Sequence, residues 1–214
     1  MKRFLLLFLA VLLLLCGCNK KMNRLEKTEQ GYTDTKSGIA YMVLDPTYQP
    51  ASRGEAFAEY VNEERNITRA FYEIPGLDRA LFMTDEYLNV YFAGSIAPNA
   101  ALWQIEAVLV CEEEAISVER CRLAAGTDDA QIAALRALWF AEDEGARLPI
   151  GAPAHTFAVK FAGKDYPSLY YNLTLQIYAN GEVYLDEPFS GRTVQLSAEL
   201  AKALCPSGTL GGAA

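Results

Sequence analysis

The sequence predicts an α+β domain built on a mainly antiparallel sheet, and three observations carry that reading. Along Leu169 to Asp186 the residues alternate: Leu169, Tyr171, Leu173, Leu175 and Ile177 fall on one face and Tyr170, Asn172, Thr174, Gln176 and Tyr178 on the other, the period of a half-buried strand. Asp128 precedes Gln131 by three positions and Ile132, Leu135, Leu138 and Trp139 follow at helical spacing, which predicts an amphipathic helix over about 128–144 that Gly145 closes. The other strand-like runs follow one another without regular strand-helix alternation, which favours an antiparallel sheet over a parallel α/β one.

In chain order, the first element is an export signal. Lys2 and Arg3 precede an unbroken apolar run from Phe4 to Leu15. A helix of that length rises about 18 Å against a hydrocarbon core of about 30 Å, so the run reads as a signal peptide rather than a span. The stretch Leu15-Cys16-Gly17-Cys18 then resembles the lipobox of bacterial lipoproteins, with an aliphatic residue three before the cut, a small residue just before it and a cysteine just after. Cys16 is the poorer acceptor, because it would put Leu15 in the small-residue slot. The resemblance covers this segment alone. It implies that residues 1–17 are removed, that Cys18 carries diacylglycerol in thioether linkage, and that the mature protein sits on the extracytoplasmic face of a cell membrane, whether inner or outer.

From Asn19 to Gln30 the chain is polar, with only Met22 and Leu25 scattered through it. Too little apolar surface is present to offset the entropy of ordering it, so residues 18–30 are expected to form the lipidated cysteine and a flexible tether. Fully extended, a dozen residues reach about 40 Å. Lys20, Lys21 and Arg24 lie where anionic headgroups would attract them. Residues 31–205 then read as one globular domain and residues 206–214 (PSGTLGGAA) as a frayed tail.

Within the domain, Ile39–Leu44, Asn66–Ile74, Asn89–Phe92, Ile105–Val110, Ile116–Leu123 and Thr156–Phe161 read as strands. Glu55 to Arg65 fits a helix or a strand, and the strand, pairing with Ile67–Ile74, is preferred. For the hairpin after Leu169, a three-residue loop Ala179-Asn180-Gly181 keeps one apolar face continuous by pairing Ile177 with Val183 and Leu175 with Leu185. A strand around Thr193–Leu196 and a short helix over about 197–204, capped by Ser197, complete the domain.

Function is less legible. Loss of Lys2 and Arg3 moves the net charge from -8 to -10, which disfavours a nucleic-acid partner. With Cys18 lipidated, Cys111, Cys121 and Cys205 remain, an odd number that permits at most one bridge; Cys111 and Cys121 are expected as buried free thiols. His155 is the one histidine, so HExxH and multi-histidine zinc sites are excluded, and no GxSxG, SxxK, P-loop or calcium-loop pattern occurs. No metal or cofactor and no catalytic residue is expected. Asp85-Glu86, Glu112 to Glu114 and Asp186-Glu187 offer carboxylates without a spacing that fixes a catalytic pair. The expected role is a non-catalytic binding domain, its candidate face formed by Tyr170, Tyr178 and Tyr184 opposite the aliphatic face of the hairpin, with an envelope protein or glycan as partner. The competing reading is an envelope glycan or peptide hydrolase using acidic residues or His155.

Overall fold

A computed structural model describes residues 22–112, 121–123, 128–142, 145–187, 189–205 and 208–209. The signal peptide, Cys18, Glu113 and Glu114 lie outside the described residues, as does the 206–214 tail apart from 208 and 209.

The α+β expectation is overturned. Strand makes up 42% of the structure and helix 13%. The first unit is a closed barrel in the order β1 (Asn23–Lys27), β2 (Gly31–Asp34), β3 (Ala40–Val43), β8 (Val90–Phe92), β7 (Phe82–Asp85), β6 (Ile67–Tyr72), β5 (Ala56–Asn62). Closure comes from β1, which pairs antiparallel with β2 and parallel with β5. Five residues of the expected tether are therefore a barrel strand. The physical reason is Leu25, whose side chain is 2% exposed in the barrel interior; one buried leucine with two flanking ladders supplies what a linker lacks.

Inward positions alternate along each strand. Leu25, Tyr32, Tyr41, Ala58, Phe71, Met83 and Tyr91 fill the lumen. Tyr32 meets Phe71, Tyr60 and Tyr91 edge to face at centroid distances of 4.6, 5.5 and 5.5 Å, a geometry that brings the positive ring edge to a negative ring face. Within Glu55–Arg65 the preferred strand is present over Ala56–Asn62, with Tyr60 opposite Arg69 and Asn62 opposite Ile67, and the rest turns back toward β6.

The second unit is a seven-stranded antiparallel sheet in the order β10 (Cys121–Leu123), β9 (Ile105–Glu112), β11 (His155–Gly163), β12 (Leu169–Ile177), β13 (Val183–Glu187), β14 (Arg192–Gln195), with β4 (Tyr48–Pro50) also paired to β12. The hairpin register is Ile177 to Val183 and Leu175 to Leu185. Tyr178 and Glu182 close the three-residue loop, and Gly181 takes φ 85 in it. The aliphatic face packs under two short helices, α1 (Asp129–Trp139) and α2 (Ala198–Leu204). Asp128 and Gln131 form a reciprocal capping box, and Ser197 accepts from the Leu200 amide. The first helix ends at Trp139, short of the expected 144. Gly145 instead lies against β14: its φ is +72, a Cβ there would sit 2.6 Å from the Thr193 carbonyl oxygen, and the next amide, Ala146, donates to that oxygen at 2.7 Å.

A third cluster joins the units. Ile74, Phe82, Val90 and Phe92 on the outside of the barrel pack with Ala100, Trp103 and Leu169 at one end of the sheet. Cys111, expected as a free thiol, is disulfide-bonded; in the ladder it stands directly opposite Cys121, and adjacent antiparallel strands bring paired Cα atoms into the range a bridge requires. Cys205 is a free thiol, pushed up to about 11 by burial.

Candidate functional site

A cavity lies at one mouth of the barrel. The strand directions put the start of β1, the β2–β3 turn, the start of β5 and the β6–β7 loop at this end. The cavity holds about 290 Å³ and is lined by Met22, Asn23, Asp34, Ser37, Ile39, Tyr41, Ala56, Phe57, Arg79 and Ala80, close to the lower end of small-ligand sites at roughly 300 Å³.

Its chemistry follows from how the polar residues are already committed. Asp34 is 3% exposed. One carboxylate oxygen accepts from the amides of Lys36 and Ser37 at 2.8 and 3.2 Å and the other from the Asn23 side chain at 2.7 Å. Burial alone raises its pKa, but these donors outweigh that and hold the carboxyl below its ordinary value. Asp34 thus fastens the β2–β3 turn to β1. The Tyr41 hydroxyl donates to the Arg79 carbonyl at 2.8 Å; burial, with Asp34 and Asp78 nearby, pushes this phenol up to about 12. Arg79 pairs with Glu73 at 3.3 Å on an exposed stretch. What the cavity presents is an apolar wall from Ile39, Phe57 and Ala56, with Arg79 also in its lining. No cysteine or histidine lines it, and its one carboxylate is engaged by its own turn.

A second polar knot lies deeper in the barrel wall. Asp85 is fully buried and accepts from the amides of Tyr87 and Asn89 at 2.9 and 3.0 Å, from the Asn89 side chain at 2.9 Å and from the Tyr91 hydroxyl at 3.0 Å, with Arg69 at 3.6 Å. Burial, then the Asp85 charge, pushes the Tyr91 phenol well above its ordinary value. The Tyr87 and Asn89 contacts shape the β7–β8 turn, in which Leu88 adopts φ 66, and those from Tyr91 and Arg69 tie it to β8 and β6, so this carboxylate is a scaffold group.

The residues singled out from the sequence are distributed otherwise. Tyr170, Tyr178 and Tyr184 do lie opposite the aliphatic face, but they are 9%, 7% and 4% exposed. Tyr178 and Tyr184 meet edge to face at 5.7 Å, and their hydroxyls donate to Gln176 and Glu182 at 2.9 and 3.2 Å. As a docking face these rings offer little accessible area: Tyr178 and Tyr184 pack on one another and Tyr170 lies against Lys160. On the same face Lys160 is 3% exposed, its ammonium held by the Asn172 and Gln49 side-chain oxygens at 2.7 and 3.2 Å and lying 5.9 Å from the Tyr170 ring centroid. Burial lowers its pKa to about 8. His155 is exposed in a shallow groove with Pro153, Ala154, Thr156 and Phe157, where among the described residues no serine, cysteine or carboxylate joins it. Asp186 accepts from Thr193 at 2.7 Å and Glu187 from Thr47 and Ser190 at 2.9 and 2.5 Å. Adjacent in one strand, these two carboxylates point to opposite faces of the sheet.

Sequence reasoning missed the mouth residues Asp34, Tyr41 and Arg79. The one available signal was the turn composition Asp34-Thr-Lys-Ser37-Gly38, which marks a hairpin whose aspartate caps its own backbone. Compared with family models, curated proteins and solved structures, the chain matches none.

Proposed function

We propose that the protein is a bacterial envelope lipoprotein, anchored through diacylglycerol on Cys18 to the extracytoplasmic face of a membrane, and that its barrel acts as a non-catalytic binding module for a small ligand with an apolar body and an acidic group. The observation that carries the binding role is the barrel-mouth cavity, with its apolar wall and Arg79 as the one cationic residue among the described residues of its lining. The disulfide at Cys111 supports an oxidising compartment outside the cytoplasm. The acidic balance of the chain argues against nucleic acid as a partner.

Two experiments test the two halves of this reading. Cys18→Ser should release the protein from the membrane fraction; retention of that variant there would refute the anchor. For the cavity, amide shifts are followed by NMR while benzoate or N-acetylmuramic acid, each a ring bearing a carboxylate, is added at millimolar concentration. Ile39, Ala56 and Ala80 should shift and His155 should not. Arg79→Ala should weaken the response about tenfold, the loss expected for one charge-assisted hydrogen bond worth about 1.4 kcal/mol. Shifts confined to other parts of the molecule, or a mouth unaffected by both probes, would remove the binding assignment.

A further inference from the structure

The start of β1 changes what a lipid on Cys18 would do. With β1 beginning at Asn23, only four residues separate Cys18 from the barrel, and five residues of chain span at most about 17 Å. The barrel wall beside it is longer: β5 runs seven residues, or about 20 Å. The end of the barrel nearest the anchor is the cavity mouth, since Met22 and Asn23 are themselves part of its lining.

We infer that the barrel mouth is a membrane-docking surface seated on the phospholipid headgroups around the Cys18 lipid, so that the cavity opens toward the bilayer interface and takes its ligand from there. This rests on the lipid anchor proposed above. The rim has side chains that can sit at that boundary. Met22 and Leu81 are 37% and 41% exposed at this end, apolar side chains suited to the headgroup boundary, and Lys36 and Arg79 are exposed beside them, where long cationic side chains reach phosphates. Glu73 and Asp78 on the same loop offset those two cations, and Arg79 is paired with Glu73. Seating is therefore carried by covalent reach, and should persist in salt that screens exposed charges beyond about 3 Å at 1 M. The opposite end of the barrel carries Met42, Val43, Ile67 and Tyr87, 45%, 53%, 45% and 68% exposed, so apolar exposure does not distinguish the two ends and the reach from Cys18 decides which one is seated.

The test uses the full lipidated protein in vesicles of phosphatidylethanolamine and phosphatidylglycerol in which a share of the lipid carries bromine on its acyl chains near the headgroup. Leu81→Trp and Ile67→Trp each add one exposed fluorophore, with the wild-type signal subtracted. Leu81→Trp should be quenched at least twice as strongly as Ile67→Trp, in low and high salt alike. Inserting twenty Gly/Ser residues after Asn19 should remove that difference while leaving the protein on the vesicles. Equal quenching at the two positions, or a difference that survives the insertion, overturns the docked mouth while the anchor stands. Failure of the unaltered protein to sediment with vesicles overturns the anchor and this inference with it.

Discussion

Lys160 illustrates how a single buried charge sets a pH dependence. The residue is 3% exposed and its ammonium is met by two amide oxygens, with no carboxylate in contact among the described residues. Burial lowers its pKa from 10.5 to about 8. Between those two values the unfolded chain holds the extra proton, so the charge penalty is fully present below pH 8 and is relieved as pH rises toward 10.5. At about 1.4 kcal/mol per unit the relief is on the order of 3 kcal/mol. Comparing urea unfolding of wild type and Lys160→Met at pH 7 and pH 10 isolates the term, because the tyrosines titrate in both; the difference should move toward wild type by up to that amount, and a pH-independent difference would contradict it. Asp85 is the opposite case, a buried carboxylate with its hydrogen bonds supplied. Asp85→Ala should cost about 3 kcal/mol by leaving Arg69 and the turn amides uncompensated, and Asp85→Asn clearly less, read by the same unfolding curves. At this scale the sequence was partly legible. It marked Asp85 as acidic and Tyr178 as a strand tyrosine, but which carboxylate is a scaffold and which ring is buried depends on neighbours far away in the chain.

Among the elements, the hairpin and the two helix starts were readable because their determinants are local. Ile177 opposite Val183 follows from alternation and the loop glycine, and the Asp128–Gln131 box follows from spacing alone. Asp128→Ala should cost about 1 kcal/mol of stability, measurable as a small fall in the urea midpoint. The helix end was misplaced because Gly145 packs against Thr193, a contact 48 positions away that no local pattern announces. The same holds for Gly31. A Cβ at that position would fall 2.0 Å from the Tyr41 carbonyl oxygen, so β2 lies against β3 only because the side chain is absent. Gly31→Ala should force the two strands apart and destabilise the barrel by roughly 2 kcal/mol or more, within the range of overpacking. Far-ultraviolet circular dichroism during thermal unfolding would register it; an unchanged midpoint would show that the backbone yields at no cost.

The whole molecule was the least legible level. Each barrel strand is short, and although most neighbours in the order β1-β2-β3-β8-β7-β6-β5 are local hairpins, two pairings between distant residues, Asn23 with Ala58 and Val43 with Tyr91, are needed to close it. A strand of five residues with one buried leucine resembles a linker until its partners are known. The joint cluster around Trp103 and Phe82 likewise draws on both units. Alkylation of the denatured, unreduced protein should label Cys205 and leave Cys111 unmodified; label on both would contradict the bridge. Finally, because β1 is the stave that closes the barrel, a shortened chain beginning at Gln30 would leave the paired edges of β2 and β5 bare. Open edges recruit one another. Such a chain should self-associate, the missing stave being replaced by strand pairing between molecules, and the anchor-proximal segment would then prove to be what keeps this protein solitary.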